Sequence, residues 1–127
     1  MGAAHSKGQA ENDRMSILLE RFRKGGKALA KSIMEDPDTK TCYACGCYAT
    51  KGFMHVHHVF GGSNRRWSEK FGLKVHLCYV CHEDNEKGVH GRNKELAERL
   101  HREGQAAFER VHGDRNVFMQ IFGKNYL

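Results

Sequence analysis

The sequence predicts a small α+β domain organised around bound metal, and three observations favour that fold class. Cysteines form two Cys-x-x-Cys pairs, Cys42/Cys45 and Cys78/Cys81. The 32 residues between the pairs include two segments with the alternating apolar pattern of β-strands. The C-terminal part of the chain has the apolar spacing of amphipathic helices. We therefore expect a short sheet, cross-linked by a metal ion and flanked by N-terminal and C-terminal helices.

Four segments of different composition follow one another. We expect a flexible N-terminus, an N-terminal helical segment, a Cys/His-rich core and a C-terminal helical cap of the same domain, at 1–13, 14–36, 41–92 and 93–127. Apolar spacing predicts a helix from Arg14 to Met34, with a break or kink at Gly25-Gly26. Pro37 and the acidic residues around it end this segment.

The core is expected to contain a β-hairpin and little helix. Residues 53–60 and 73–77 have strand character, and every second residue of 73–77 is apolar. The glycine-rich residues 61–64 predict a turn after the first strand. After the core we expect a helix over 94–111 capped by Asn93, and then a short final helix capped by Asp114.

Composition indicates one globular domain and suits a polyanionic partner. The chain has 127 residues, of which 39% are hydrophobic and 28% charged, and its net charge is +6. No apolar run approaches the roughly 18 residues that span a bilayer, and no signal-peptide pattern opens the sequence. We therefore expect a cytoplasmic protein without a membrane partner. Nucleic acid is the commonest polyanion that basic proteins bind, although a basic protein without such a partner has the same charge.

The two cysteine pairs predict a structural zinc site. Each Cys-x-x-Cys turn presents two thiolates, and two turns supply the tetrahedral four-sulfur coordination that structural zinc prefers. Such a site has no open coordination position, so its role is in folding rather than in catalysis. Five cysteines without a secretory signal favour a metal site over disulfides. Cys47 is then left over, or it replaces Cys45 as a ligand.

Histidines are concentrated in the core. Six of the nine lie between residues 55 and 90, at His55, His57, His58, His76, His82 and His90. His57 and His58 end the first predicted strand, and His82 follows the second cysteine pair, where a helix would begin. Strand alternation puts His55 and His57 on one face, so these two form an alternative ligand pair that leaves His58 packed with Met54 and Val56.

The order of these motifs resembles the HNH, or His-Me finger, endonuclease family. In that family a Cys-x-x-Cys pair precedes a strand that ends in His-His or Asp-His. A loop and a second strand then lead to a second Cys-x-x-Cys, followed at once by His. Here residues 42–90 have the same order, with the matching elements Cys42/Cys45, His57-His58 and Cys78-x-x-Cys81-His82.

The likeness extends to smaller details. The stretches HVFGGSNRR at 58–66 and FGKNYL at 122–127 look like small HNH-type proteins of bacteriophages and prophages. The resemblance implies a ββα-metal core, metal-dependent hydrolysis of DNA phosphodiester bonds, and a bacterial or phage-infected host cell. It also implies a catalytic divalent ion, which is magnesium, manganese or another transition ion.

By position, the resemblance implies that His57 and His82 bind the catalytic metal and that His58 is the general base. These roles are chemically sound, because a neutral imidazole can take a proton from water near pH 7 and a partly coordinated metal can stabilise a phosphate. The family often has a further histidine four residues after the helical one, where this chain has Glu86. His90, eight residues after His82, is a further candidate ligand.

One family residue is missing. An asparagine normally lies nine residues before the helical histidine and helps to fix the loop that holds the base, but here that position is Leu73. We expect Asn64 to take over this role from the loop. Arg65, Arg66 and Arg92 flank the predicted site and are candidate phosphate-binding residues, although each also fits a solvated surface.

Two other functions are compatible with the sequence. A zinc-stabilised nucleic-acid-binding module without catalysis, such as a phage accessory or recombination factor, is favoured by the missing asparagine. A structural zinc protein that joins other proteins through its terminal helices would not bind nucleic acid even at low salt.

Overall fold

A computed structural model describes residues 30–48 and 54–127, which form a mixed α+β structure with a two-stranded antiparallel sheet. Its elements are β1 (Met54–His58), α1 (Arg65–Phe71), β2 (Lys74–Cys78), α2 (Tyr79–Glu83), α3 (Lys94–Val111) and α4 (Arg115–Phe122). None of these helices is long and apolar enough to cross a membrane. The expected flexible N-terminus at 1–13 and residues 14–29 of the expected helical segment lie outside the described residues.

The sheet buries a histidine where an apolar residue would be usual. β1 and β2 pair in a register that sets His57 opposite Val75 and His58 opposite Lys74. β2 buries its alternating apolar residues, as predicted. In β1, by contrast, His57 is 7% exposed and Val56 is 50% exposed. A buried histidine on this face needs polar partners. For His57 these are His82, on the helix after β2, and His90, which follows that helix.

A short helix that the sequence pattern does not predict connects the two strands. The predicted turn is a 3₁₀ turn over Gly62–Asn64, which continues directly into α1. Tertiary contacts fix this helix: the Ser68 hydroxyl hydrogen-bonds both the N–H and the C=O of Phe60. Gly72 ends it at a φ of 72°, and a Cβ there would lie 2.3 Å from the Lys31 carbonyl oxygen.

The end of the expected N-terminal helix is not helical. Residues 30–36, the described part of that segment, lie beside β2 without regular structure. Three of their groups hydrogen-bond instead to β2 or to Gly72, two residues before it: Ile33 to Gly72, Ser32 to Lys74 and Glu35 to His76. These bonds satisfy backbone groups at the edge of the sheet, and this outweighs the helical preference of the stretch.

The two C-terminal helices are confirmed together with their predicted caps. The Asn93 side chain accepts a hydrogen bond from the N–H of Leu96, and the Asp114 side chain accepts one from the N–H of Val117. Aromatic side chains of these helices pack on Phe60, in the turn that follows β1, and on Phe71 of α1. The buried apolar core includes Phe60, Phe71, Leu73, Val75, Leu77, Leu100, Phe108 and Phe118. The helical cap and the hairpin therefore share one core.

Candidate metal centres

Four cysteine side chains lie together, as the two Cys-x-x-Cys motifs predict. The sulfur atoms of Cys42, Cys45, Cys78 and Cys81 all lie within 4.8 Å of one another. The sulfurs of Cys45 and Cys78 are 3.8 Å apart. Zinc–sulfur bonds of about 2.3 Å in a tetrahedron separate two sulfurs by about 3.8 Å. The cysteine cluster can therefore hold a structural metal such as zinc.

Two local structures bring these thiols together. After Cys42 the chain turns tightly, and the N–H of Gly46 donates to the Cys42 carbonyl at 2.8 Å. Gly46 has a φ of 75°, a left-handed conformation that favours glycine. Cys78 is the N-cap of α2 and Cys81 lies on that helix. One pair thus comes from a tight turn and the other from the first turn of a helix.

Cys47 lies outside the cysteine cluster. Its carbonyl accepts a hydrogen bond from the N–H of Cys42 at 2.9 Å, which closes the turn. The backbone N–H of Cys47 lowers the pKa of the Cys45 thiol to about 7. Hydrogen bonding with Cys45 raises the pKa of the Cys47 thiol to about 12. Cys45 belongs to the group of four sulfurs that lie within 4.8 Å of one another and Cys47 does not, so Cys45 suits a ligand role better.

Three imidazoles converge beside the sheet, and we call them the histidine cluster. His57 comes from β1, His82 from α2 and His90 from the segment between α2 and α3, and one ring nitrogen of each lies within 4.8 Å of the others. The Nε2 atoms of His82 and His90 are 3.0 Å apart. Two ligands at right angles, with metal–nitrogen bonds of about 2.1 Å, are about 3.0 Å apart. This spacing fits two ligands of one divalent ion.

A chain reversal after α2 returns His90 to His82. The N–H of His90 donates to the carbonyl of His82 at 3.1 Å. The reversal leaves no room for side chains at two positions. A Cβ on Gly88 would lie 2.6 Å from the Asp84 carbonyl oxygen, and a Cβ on Gly91 would lie 2.3 Å from the same atom. Glycines at these positions allow the close approach that brings His90 into the cluster.

Burial keeps two rings of the cluster neutral. Burial, together with the nearby His82, lowers the pKa of His57 to about 3. Burial, and then the neighbouring His90, also lowers the pKa of His82. A neutral imidazole has a lone pair for a metal, whereas an imidazolium has none. His57 and His82 are therefore in the form that binds metal at neutral pH.

The second nitrogen of His82 contacts other groups. Its Nδ1 lies 2.9 Å from Nδ1 of His55 and 3.2 Å from a carboxylate oxygen of Glu83. A neutral ring has one unprotonated nitrogen, so a His82 that binds metal through Nε2 carries its proton on Nδ1 and can donate it to either neighbour. Within the described residues His55 groups with His82 and Glu83, and His57 groups with His82 and His90.

His58 lies next to the histidine cluster but does not belong to it. Its Nε2 is 2.5 Å from a carboxylate oxygen of Glu69 on α1. The other oxygen of Glu69 is 2.6 Å from Nζ of Lys74. His58 lines a cleft together with the three clustered histidines, so the rings reach the same space. Sequence analysis does not identify Glu69, because its contact with His58 depends on α1, and the sequence pattern does not predict that helix.

Asn64 ties the loop after β1 to α4, and Leu73 lies in the core. Asn64 Nδ2 donates to the Phe122 carbonyl at 3.1 Å, which ties the 3₁₀ turn to α4. Leu73 is 0% exposed and belongs to the apolar core. Among the described residues, the polar side chain that hydrogen-bonds His58 is Glu69, whereas Asn64 holds the loop after β1. The position that differs from the family pattern is thus filled by a core residue.

Two open clefts meet at His58, and arginine lies between them. One cleft, of about 300 Å³, is lined by the histidine cluster, His58 and Arg65. The other, of about 620 Å³, is lined by His58, Arg65, Arg66 and others. The Arg66 guanidinium lies 4.4 Å above the Trp67 ring, which occupies one of its faces. Arg92 is exposed in the segment before α3 and lines neither cleft.

Comparison of the chain with protein-family models, with curated proteins and with solved structures gives no match. The function is therefore inferred from the sequence motifs and from the geometry of these side chains.

Proposed function

We propose that this protein is a metal-dependent endonuclease that hydrolyses DNA phosphodiester bonds. The observation that carries the proposal is the convergence of His57, His82 and His90 within 4.8 Å, beside a fourth histidine, His58, that lines the same cleft. Three nitrogen ligands leave coordination positions open on a divalent ion, and the fourth histidine lies outside this ligand group, where it can act as a base. The net charge of +6 suits a polyanionic substrate.

The order of the elements supports a ββα-metal core. β1 and β2 are antiparallel, α2 follows β2 directly, and β1 and α2 each supply one candidate ligand, His57 and His82. This is the arrangement that the resemblance to the HNH family implies. A structural zinc ion in the cysteine cluster would hold the opposite end of the hairpin, where Cys78 pairs with Met54. Reduced cysteines in such a site fit the cytoplasm of a bacterial or phage-infected cell.

In the proposed reaction, His58 is the general base. Water in the cleft gives a proton to His58 while its oxygen attacks the phosphorus. Arg65, which lines both clefts, binds a phosphate oxygen. The histidine cluster would hold the divalent ion, and its three imidazole nitrogens suit manganese or another transition ion better than magnesium, which prefers oxygen ligands. When bound, this metal stabilises the charge that develops on the phosphate and the leaving oxygen. The products have 3′-hydroxyl and 5′-phosphate ends.

Nicking of supercoiled plasmid tests this proposal. We expect the wild-type protein to nick plasmid in Mg²⁺ or Mn²⁺ but not in EDTA. His58→Ala should lose at least about 10²-fold in rate and still bind DNA, because only the proton acceptor is removed. His112→Ala is the matched control, since it removes a partly buried histidine at the end of α3, outside both clefts. Zinc content and circular dichroism show whether each variant is folded.

Two outcomes count against the proposal. Equal nicking by the wild-type protein and by folded His58→Ala means that His58 is not the base, or that a contaminating nuclease cuts the plasmid. An absence of nicking on plasmid, single-stranded and branched DNA with every metal tested contradicts the enzymatic function itself.

A second candidate function is a non-catalytic, zinc-stabilised module that binds nucleic acid, such as a phage accessory or recombination factor. One observation favours it: Leu73, at the position of the family's asparagine, is 0% exposed and has no polar group. This function predicts DNA binding that weakens steeply between about 50 and about 200 mM salt, without cleavage. Gel shifts on the DNA used for nicking distinguish the two functions.

A further inference from the structure

Glu69 joins three elements of the fold at the candidate base. It lies on α1, and its carboxylate bridges His58 at the end of β1 and Lys74 at the start of β2, which face each other in the sheet. One oxygen is 2.5 Å from Nε2 of His58 and the other is 2.6 Å from Nζ of Lys74. The side chains of His58, Glu69 and Lys74 are 16%, 21% and 17% exposed. The three groups are therefore largely shielded from water.

Charge decides which nitrogen of His58 carries the proton. Burial raises the pKa of Glu69, but hydrogen bonds from Lys74 and His58 outweigh burial and hold that pKa below its ordinary value of 4.5. Glu69 is thus ionised at neutral pH, and an ionised carboxylate can only accept hydrogen bonds. Nε2 of His58 must then be the donor. In the neutral ring the lone pair is left on Nδ1.

We propose that Glu69 is the positioning residue for the base: it holds His58 in the form protonated at Nε2, and Lys74 in turn holds Glu69. This inference rests on the proposed function. As Nδ1 takes a proton, an O–H bond of water breaks, the water oxygen bonds to phosphorus, and the bond from phosphorus to the leaving oxygen breaks. The leaving oxygen takes a proton from solvent, and His58 later returns its proton to solvent.

The position of Glu69 also stabilises the charged form of the base. When Nδ1 accepts the proton, the ring becomes an imidazolium that hydrogen-bonds a carboxylate through Nε2. Lys74 occupies the other oxygen of that carboxylate, which keeps Glu69 in one orientation. Glu69 therefore orients the base, a task close to the one that the HNH resemblance gives to an asparagine.

Nitrogen-15 NMR of the histidine rings, combined with nicking kinetics on the full chain, tests the inference. In the wild-type protein we expect His58 to be protonated at Nε2, with its signals assigned by their loss in His58→Ala. Glu69→Ala should give a mixture of both tautomers and lower kcat about 10²-fold, with KM changed by less than about twofold. Glu69→Gln retains an acceptor oxygen, so it should keep the Nε2-protonated form and lose only about tenfold in kcat.

Glu98→Ala is the matched control, because it removes an exposed carboxylate from α3, and both readouts should stay at wild-type values. A folded Glu69→Ala that keeps the tautomer and the wild-type kcat overturns the inference. If Glu69→Ala does not fold, Glu69→Gln decides, and loss of the Nε2-protonated form there overturns it. If the wild-type protein has this tautomer but does not nick DNA, the proposed function and the catalytic part of the inference are wrong. The tautomer readout then still tests whether Glu69 fixes the form of His58, so the two failures can be told apart.

Discussion

A buried serine fixes the turn that follows His58. Ser68 is 0% exposed, and its hydroxyl accepts from the Phe60 N–H at 3.0 Å and donates to the Phe60 carbonyl at 2.8 Å. One side chain thus satisfies both backbone groups of a buried residue. We expect Ser68→Ala to lower the free energy of unfolding by about 1–3 kcal/mol, because both groups then lose this partner inside the core.

Urea denaturation followed by circular dichroism measures this loss. Ser63→Ala is the matched control, since it removes an exposed hydroxyl from the neighbouring 3₁₀ turn and should change stability by less than about 0.5 kcal/mol. If the urea midpoint of Ser68→Ala equals that of the wild-type protein, the hydroxyl does not fix this turn.

For single residues, candidate ligands are easier to predict from sequence than the contacts that support them. His57 and His82 are conspicuous because each has a fixed spacing from a strand end or a cysteine pair. The structure brings these two together with His90. Glu69 has no such spacing, since its contact with His58 depends on α1, and tertiary bonds through Ser68 hold that helix in place.

Among the elements, α3 packs on the turn after β1 through a glycine. A Cβ on Gly104 would lie 3.0 Å from Cγ1 of Val59 and 3.1 Å from Cε2 of Phe60. Alanine is better than glycine inside a helix by about 1 kcal/mol, whereas overpacking a core costs about 1–3 kcal/mol. Because both neighbours are buried, we expect Gly104→Ala to destabilise the protein by about 1 kcal/mol net.

A double-mutant cycle separates the two effects. Val59→Ala removes the methyl group nearest to the new Cβ. In that background we expect Gly104→Ala to cost less than in the wild-type protein, because the contact with Val59 is relieved and the one with Phe60 remains. Urea midpoints of the four proteins give the coupling energy. The same loss from Gly104→Ala in both backgrounds would show that α3 does not pack closely against Val59.

A helix or strand can be predicted from sequence where its own residues have the apolar spacing and end signals of that element. α3 and α4 have apolar spacing and side-chain caps, and the structure contains both at the expected places. Residues 30–36 have helical spacing but hydrogen-bond to β2 and Gly72 instead. α1 is only seven residues long, too short to be stable without tertiary contacts. In both cases long-range hydrogen bonds decide the local structure.

In the described molecule as a whole, contacts distant in sequence hold both ends of the domain. At the C-terminus, the side chain of Gln105 is 0% exposed, donates to Asn125 at 2.8 Å and accepts from the N–H of Tyr126 at 2.6 Å. At the other end, the cysteine turn at 42–47 meets β2 through a hydrogen bond from the N–H of Tyr43 to the His76 carbonyl. Cys42 in this turn is 2% exposed and belongs to the apolar core, and Tyr43 and Ala44 pack against that core.

Metal in the cysteine cluster would add a link between this turn and α2, and two serine substitutions test this. We expect Cys45→Ser to lose about one zinc ion per chain and to lower the thermal midpoint by more than about 10 °C, because three sulfurs cannot complete a closed tetrahedral site. Cys47→Ser is the matched control: it makes the same change two residues later, outside the cysteine cluster, and should keep both zinc and midpoint. Metal analysis and melting curves measure the two quantities. Zinc lost from Cys47→Ser and kept by Cys45→Ser would make Cys47 the ligand, whereas zinc kept by both would contradict a required role for Cys45.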